Sequence, residues 1–303
     1  MEIRFDPTYI EEVVFLELKA REVSGDAQLS QAFHAAWDAI YDSEGSAEDR
    51  DTRFHQAASR YFQELGLRDL IMKRFEEFPF VRIGVHVVMI RRAWSRKEEC
   101  VELYVRESSR MLQMTLQTSR SLERERFVTF LRHELMHVSD MLNPAFGYKP
   151  HPELGGIYEL EQDLARERFR VLWNIFVDGR MRRCGWRTVI DETTRRRELE
   201  RAFPSWEPKR RQAVFNELFS HEQCMQQELL ELAKNEGLMQ SLGDGGVRCP
   251  LCHFPTRDGV RKWEGVWAVV AEAIQKDFPH WNPTQGACTQ CGELYRSRIC
   301  TVR

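Results

Sequence analysis

Two stretches of this chain carry residue types at spacings that can hold and use a metal ion. His133-Glu134-Leu135-Met136-His137 is an HExxH pattern. On an α-helix its two histidines, four residues apart, share one face, so both imidazoles can reach one ion. Glu134 flanks that face, close enough to act on water without binding the metal. Imidazole suits zinc, and a catalytic zinc keeps one position open to water. The second stretch is Cys249-Pro250-Leu251-Cys252 with Cys288-Thr289-Gln290-Cys291-Gly292. Two CxxC pairs supply the four thiolates of a closed, structural zinc site, and Gly292 suits a tight knuckle turn.

The elements that must position these groups follow from periodicity. Helical patterns run over 8–41, with a polar break at 42–46, and from about Thr52 to Phe75. His34 and His55 fall on them without ligand-like neighbours. From Phe80 the period shortens: Val81–Ile90, Glu99–Val105 and Met111–Gln117 read as strands. Ser121 then offers an N-cap for a helix that buries Phe127, Phe130, Leu131 and Leu135 and stops at Asn143-Pro144. A long helix is expected from about Ile157 to Arg183, and another from Phe215 to Leu238. Gly243-Asp244-Gly245-Gly246 reads as a linker. The 35 residues between the cysteine pairs, with Trp263, Val266, Trp267, Val270, Ala273 and Ile274, fit an inserted amphipathic helix.

Strands followed by a helix bearing HExxH is the order found in zincin metallopeptidases, which residues 78–185 resemble. The resemblance implies a catalytic zinc on His133 and His137 with Glu134 as general base. It also implies an edge strand, here Met111–Gln117, that aligns an extended peptide by backbone pairing. The third ligand stays open. Asp178 interrupts the apolar run Leu172–Val177, where a buried carboxylate needs a partner. Trp173-Asn174-x-x-x-Asp178 is similar to the second-helix segment of some HExxH proteins. Glu159 and Glu161 have gluzincin spacing. His151 has a spacing similar to the third histidine of SprT-like proteases, although His151-Pro152-Glu153-Leu154 stands where those have a His-Gly turn. Asp140 lies about 10.5 Å along the helix from His133, too far for a joint ligand set, and reads as a group orienting an imidazole or as a helix-end residue. The alternative for Asp178 is a salt bridge to Arg180, Arg182 or another basic residue. Tyr148, His151, Tyr158 and Arg180 are candidate oxyanion donors.

The fold class expected is α+β: a mainly helical zincin-like core with a small mixed sheet, plus a zinc ribbon built on four cysteines. Its parts are an N-terminal helical region over 1–77, a metallopeptidase core over 78–240 and a ribbon over 247–303. With 42% hydrophobic and 30% charged residues and a net charge of -3 in 303 residues, the chain reads as globular, without a global bias toward nucleic acid. No apolar stretch is long enough to span a bilayer, and no secretory signal is visible at Met1–Asp6. Cytoplasmic placement with metal-bound rather than disulfide cysteines is expected, leaving Cys100, Cys184, Cys224 and Cys300 as packing or surface thiols. Residues 180–211 hold eleven basic against five acidic residues, with Trp186 and Trp206 among them. That run reads either as a solvated surface or as a nucleic-acid face. The expected activity is hydrolysis of a protein or peptide substrate by a metallopeptidase with two zinc ions, one catalytic and one structural. HExxH followed by a ribbon resembles the layout of SprT-like proteases that act on DNA-bound proteins. The rival is a non-enzymatic ribbon adaptor for protein or nucleic acid, whose HExxH zinc is only structural.

Overall fold

The computed structural model describes residues 1–106, 109–152, 159–234, 247–252, 255–256, 259–260 and 263–300. It is α+β and mostly helical, and it divides into two compact units. The first comprises Met1–Pro152, Leu172–Arg195 and Phe215–Leu229; the second comprises Glu153–Val171, Arg196–Val214 and Leu230–Arg303. A boundary at 77/78 falls inside the first unit, because the N-terminal segment supplies a strand to its sheet.

That strand, β1 (Glu2–Phe5), is followed by the helices α1 (Pro7–Val23), α2 (Gln28–Tyr41), α3 (Ala47–Glu64), α4 (Leu67–Glu76) and α5 (Pro79–Gly84). Each of the two long helical patterns is thus broken once, at 24–27 and at 65–66. The predicted strand Val81–Ile90 is corrected. Pro79, whose fixed φ suits the first helical position, opens α5, and β2 begins only at Val87, running to Arg92. β3 (Cys100–Arg106) and β4 (Ser109–Leu116) follow.

The four strands are ordered β1-β2-β4-β3, with β1–β2 and β2–β4 parallel and β3–β4 antiparallel, a mixed sheet. Val87 pairs with Met111, and Tyr104 pairs with Met111 from the other side. The strand Met111–Gln117 is therefore interior, not the edge strand that the zincin resemblance implied; β3 holds that edge. Alternate residues Val88, Ile90, Leu112, Met114 and Leu116 are buried, the period-2 signature of one covered face.

After a 3₁₀ turn at Thr118–Leu122, α6 (Arg124–Leu142) carries the HExxH residues. Ser121 is not its N-cap: the hydroxyl bonds the Thr118 carbonyl within the turn, and Glu123 takes the cap position without a side-chain bond. Phe127, Leu131 and Leu135 are buried, and α4 and α5 pack on this helix. Next come α7 (Glu159–Arg183), α8 (Glu192–Ala202), α9 (Pro208–Ser220) and α10 (Gln226–Lys234). The predicted 215–238 helix is in fact α9 and α10, separated at 221–225. Gly179 on α7 is a point of close approach: a Cβ there would lie 2.1 Å from the Phe219 carbonyl oxygen.

The second unit includes β5 (Val247–Arg248), β6 (Pro255–Thr256), β7 (Gly259–Val260), α11 (Val266–Asp277), β8 (Ala287–Cys288) and α12 (Thr289–Cys300). β5–β6 and β7–β8 are antiparallel pairs, and α11 is the inserted helix expected between the cysteine pairs. Val270, Ala271, Ile274, Trp281, Ala287 and Tyr295 form its core with the cysteines. The linker 243–246 lies outside the described residues. Among the described residues no helix is long and apolar enough to cross a membrane.

Candidate metal centres

α6 and the C-terminal half of α7 face each other rung by rung in the first unit. On α6 the rungs are His133 and His137; on α7 they are Asp178 and Asn174, also four residues apart, so each helix presents one face. His133 Nε2 lies 3.8 Å from Asp178 Oδ1, and His137 Nε2 lies 3.0 Å from Asn174 Oδ1. The imidazole centroids are 4.8 Å apart, with planes at 73°. On its other side His133 Nδ1 meets Glu134 Oε1 at 3.1 Å.

This pattern has a chemical consequence. A ring that donates from Nδ1 to the Glu134 carboxylate turns a lone pair at Nε2 toward the Asp178 oxygen. Two buried acceptors facing each other require a cation between them, either a metal ion or a proton on the ring. Ligands about 2.0–2.1 Å from a tetrahedral ion stand about 3.4 Å apart, a few tenths of an ångström inside the 3.8 Å observed. His133 Nε2 and His137 Nδ1 are buried without a hydrogen-bond partner among the described residues. The donor set thus fits zinc in kind. It is not, however, fully convergent. Among the described residues the one group of three or more His, Cys, Asp or Glu ligand atoms all lying within 4.8 Å of one another is the cysteine cluster.

The surrounding groups hold this rung in place. Asp178 is 2% exposed, and its Oδ2 accepts from Arg195 Nε at 2.7 Å. The salt bridge foreseen for Asp178 thus exists, but with a helix α8 arginine rather than Arg180 or Arg182. Trp173 sets its indole edge-on to His137, centroids 4.4 Å apart at 89°, and donates from Nε1 to Asp140 Oδ2 at 2.8 Å. Arg180 bonds the other Asp140 oxygen. Asp140 therefore orients Trp173, not an imidazole directly.

Burial pushes the His137 pKa down to about 3, with the charge of His133 adding to the effect. Burial alone would raise the Glu134 carboxyl. The hydrogen bond from His133, with the charges of His133 and Arg120, outweighs it, and the pKa falls below the ordinary value. Glu134 is ionised at neutral pH, and its side chain is 26% exposed, so water can reach it.

The other candidates separate cleanly. His151 is exposed, and the side chains of Glu159 and Glu161, like all of Tyr158, lie outside the described residues. Tyr148 packs against Trp173 with centroids 6.1 Å apart. His34 and His55 lie against Glu22 and Glu11 at the surface. Asn174 and Arg195 are the residues whose roles sequence reasoning missed. Asn174 was legible in principle, since its i, i+4 relation to Asp178 mirrors the spacing of the histidines.

In the second unit the four cysteines Cys249, Cys252, Cys288 and Cys291 converge, every Sγ within 4.8 Å of the others. A tetrahedral ion with Zn–S bonds of about 2.3 Å sets its sulfurs about 3.8 Å apart; Cys252 Sγ and Cys288 Sγ are 3.7 Å apart. The Cys288 amide donates to Cys249 Sγ at 3.2 Å, and the Cys291 amide donates to Cys288 Sγ at 3.3 Å. Burial raises the Cys249 thiol, but amides of Cys288, Cys252 and Leu251 overcome this and lower its pKa. The group can hold a metal ion such as zinc. Only the first pair sits in a strand-flanked turn. Cys288 ends β8 and Cys291 lies in the first turn of α12, so Gly292 is helical rather than part of a knuckle. A Cβ at Gly292 would meet Trp267 and Val260 at 3.0 Å, so close helix packing explains the residue.

The basic run 180–211 is in part drawn into structure, while Arg182, Arg187, Arg197, Arg201, Lys209 and Arg210 are exposed. Arg195 and Trp206 are buried, Arg211 bonds the carbonyls of Phe203, Pro204 and Trp206, and Arg183 bonds those of Phe219 and His221. Trp186 packs against Phe78 and under Arg132. No known protein family, curated protein or solved structure matches the chain.

Proposed function

We propose that this protein is a zinc-dependent metallopeptidase with a second, structural zinc on Cys249, Cys252, Cys288 and Cys291. The observation that carries the reading is the facing pair His133 Nε2 and Asp178 Oδ1, buried beside His137 and flanked by an ionised Glu134. His133, His137 and Asp178 would hold the catalytic ion. When bound, zinc supplies Lewis acidity, polarising a carbonyl and acidifying water. Glu134 accepts a proton from water at its carboxylate and delivers it to the departing amine, a role its lowered pKa and partial exposure permit. Arg195 and Asp140 keep Asp178 and Trp173 in register with the histidines.

The test is hydrolysis of an unfolded protein by the zinc-loaded chain and by Glu134→Gln. The variant should keep its zinc and its fold while losing cleavage by about a hundredfold or more. Cleavage at the wild-type rate would remove Glu134 from the chemistry and the mechanism with it.

One observation favours the non-enzymatic rival: Asp178 is neutralised by Arg195 and His137 Nε2 meets Asn174. A protonated His133 would close that network without an ion, leaving a binding protein organised by its cysteine site.

A further inference from the structure

The first unit carries a cleft of about 470 Å³ walled by Arg96, Arg120, Arg126 and Arg187, with Phe127 and Phe130 in its lining. Phe127, Phe130 and Glu134 recur at i, i+3 and i+7, one face of α6. Glu134 does not line the cleft but stands on the same face of α6, one to two turns toward the C-terminus. Phe130 lies about 6 Å and Phe127 about 10.5 Å from Glu134 along the axis.

Four guanidiniums line the cleft against the carboxylates of Glu123 and Glu125, and Glu99, which Arg120 bonds, reduces the positive excess to one. Arg126 pairs with Glu123 and Arg187 with Glu125, but these are exposed pairs that a ligand carboxylate can displace at little cost. Arg120 is fixed more firmly. Its Nε and Nη2 donate to Glu99, and its guanidinium lies 4.0 Å over the Phe130 ring, leaving Nη1 for a ligand. Arg96 is exposed, and its charge, like that of Arg120, acts on the Glu99 carboxylate. A nucleic acid needs a longer basic track with exposed stacking rings. The run 180–211 offers no fully exposed ring, since Trp206 is buried and Trp186 is half-buried against Phe78.

We propose that the cleft receives an acidic side chain of an extended peptide, seated between Arg96, Arg120 and Arg187 over Phe130. This rests on the peptidase reading and names its substrate class. At about 3.3 Å per extended residue, the acidic residue falls two or three positions from the bond that Glu134 serves.

Two measurements separate this proposal from the peptidase reading. Fluorescent decapeptides, identical but for two adjacent Glu or Lys residues, are bound to the full-length Glu134→Gln protein with zinc. The Glu peptide should bind about tenfold more tightly, with the difference shrinking at high salt and abolished by Arg96→Glu with Arg187→Glu. Equal affinities, a difference that survives charge reversal, or tighter binding of a single-stranded oligonucleotide would overturn the cleft assignment. In parallel, wild-type cleavage of a randomised peptide library should enrich Asp and Glu two or three residues from the cut. Cleavage without that enrichment overturns the cleft assignment and leaves the peptidase. Selective, charge-reversible binding of the Glu peptide with no cleavage at all does the reverse.

Discussion

Asp178 turns one oxygen to His133 Nε2 at 3.8 Å and the other to Arg195 Nε at 2.7 Å, and all three residues are buried. One carboxylate thus links the HExxH helix to a buried arginine. Its removal has two separable effects. Asp178→Ala takes the bonded carboxylate away from the buried Arg195 charge and should cost about 3–5 kcal/mol of stability. Asp178→Ala with Arg195→Met removes both charges and should recover much of that loss, yet still fail to hold zinc at the histidines. Chemical denaturation with metal analysis distinguishes the two effects. Full zinc occupancy in the double variant would remove Asp178 from the ligand set.

Gly179 is the neighbour that lets α7 approach Phe219. A Cβ 2.1 Å from that carbonyl oxygen cannot be accommodated without backbone movement. Gly179→Ala, ordinarily a favourable helix change, should instead destabilise by about 1–3 kcal/mol. A thermal melt at or above the wild-type midpoint would show that the two segments are not so closely packed.

Much of this was legible in the chain, for reasons that differ by residue. The HExxH spacing encodes one turn of helix, and His133 and His137 share a face of α6; the four cysteines cluster, but Cys288 and Cys291 span a strand end and a helix start rather than a tight turn. Strand order is a non-local property. Nothing in Met111–Gln117 shows that β3 folds back onto it, so the strand taken for an edge is interior. Val81–Ile90 looked extended because β-branched residues fill it, but Pro79 starts a helix and postpones the strand to Val87. Arg195 lay in a run of arginines that all read as surface. Only the fold distinguishes the buried one, 4% exposed, from its neighbours.

The cysteines divide by environment. Burial, with Glu228 beside it, pushes the Cys224 thiol up to about 12, so it stays protonated and unreactive at pH 8. Cys100 and Cys184 are exposed. Alkylation at pH 8 with peptide mapping should label Cys100 and Cys184 at once, spare Cys224, and reach Cys249, Cys252, Cys288 and Cys291 only after chelation. Prompt labelling of all four in the zinc-loaded protein would contradict a metal bound by the cysteine cluster.

Acid should weaken the metal-free fold through His137. An unfolded chain protonates this residue below about pH 6.5, whereas the folded chain holds its pKa down to about 3. Between those values the unfolded state binds more protons, so stability falls as pH falls. Glu134, with its folded pKa below the ordinary value, adds to the loss only in the carboxylate range, the acidic end of that window. The apo protein should therefore lose thermal stability from pH 8 to pH 5 more steeply than a His137→Gln variant. Parallel slopes would mean that His137 is not held neutral by burial.

The most direct measurement is zinc per folded chain, determined by elemental analysis on wild type, His137→Ala and Cys252→Ser with Cys288→Ser. The account predicts about two ions for wild type and about one for each variant, the histidine variant keeping its fold. A wild-type value of one, unchanged by His137→Ala, would contradict it and leave the cysteine cluster as the sole metal site.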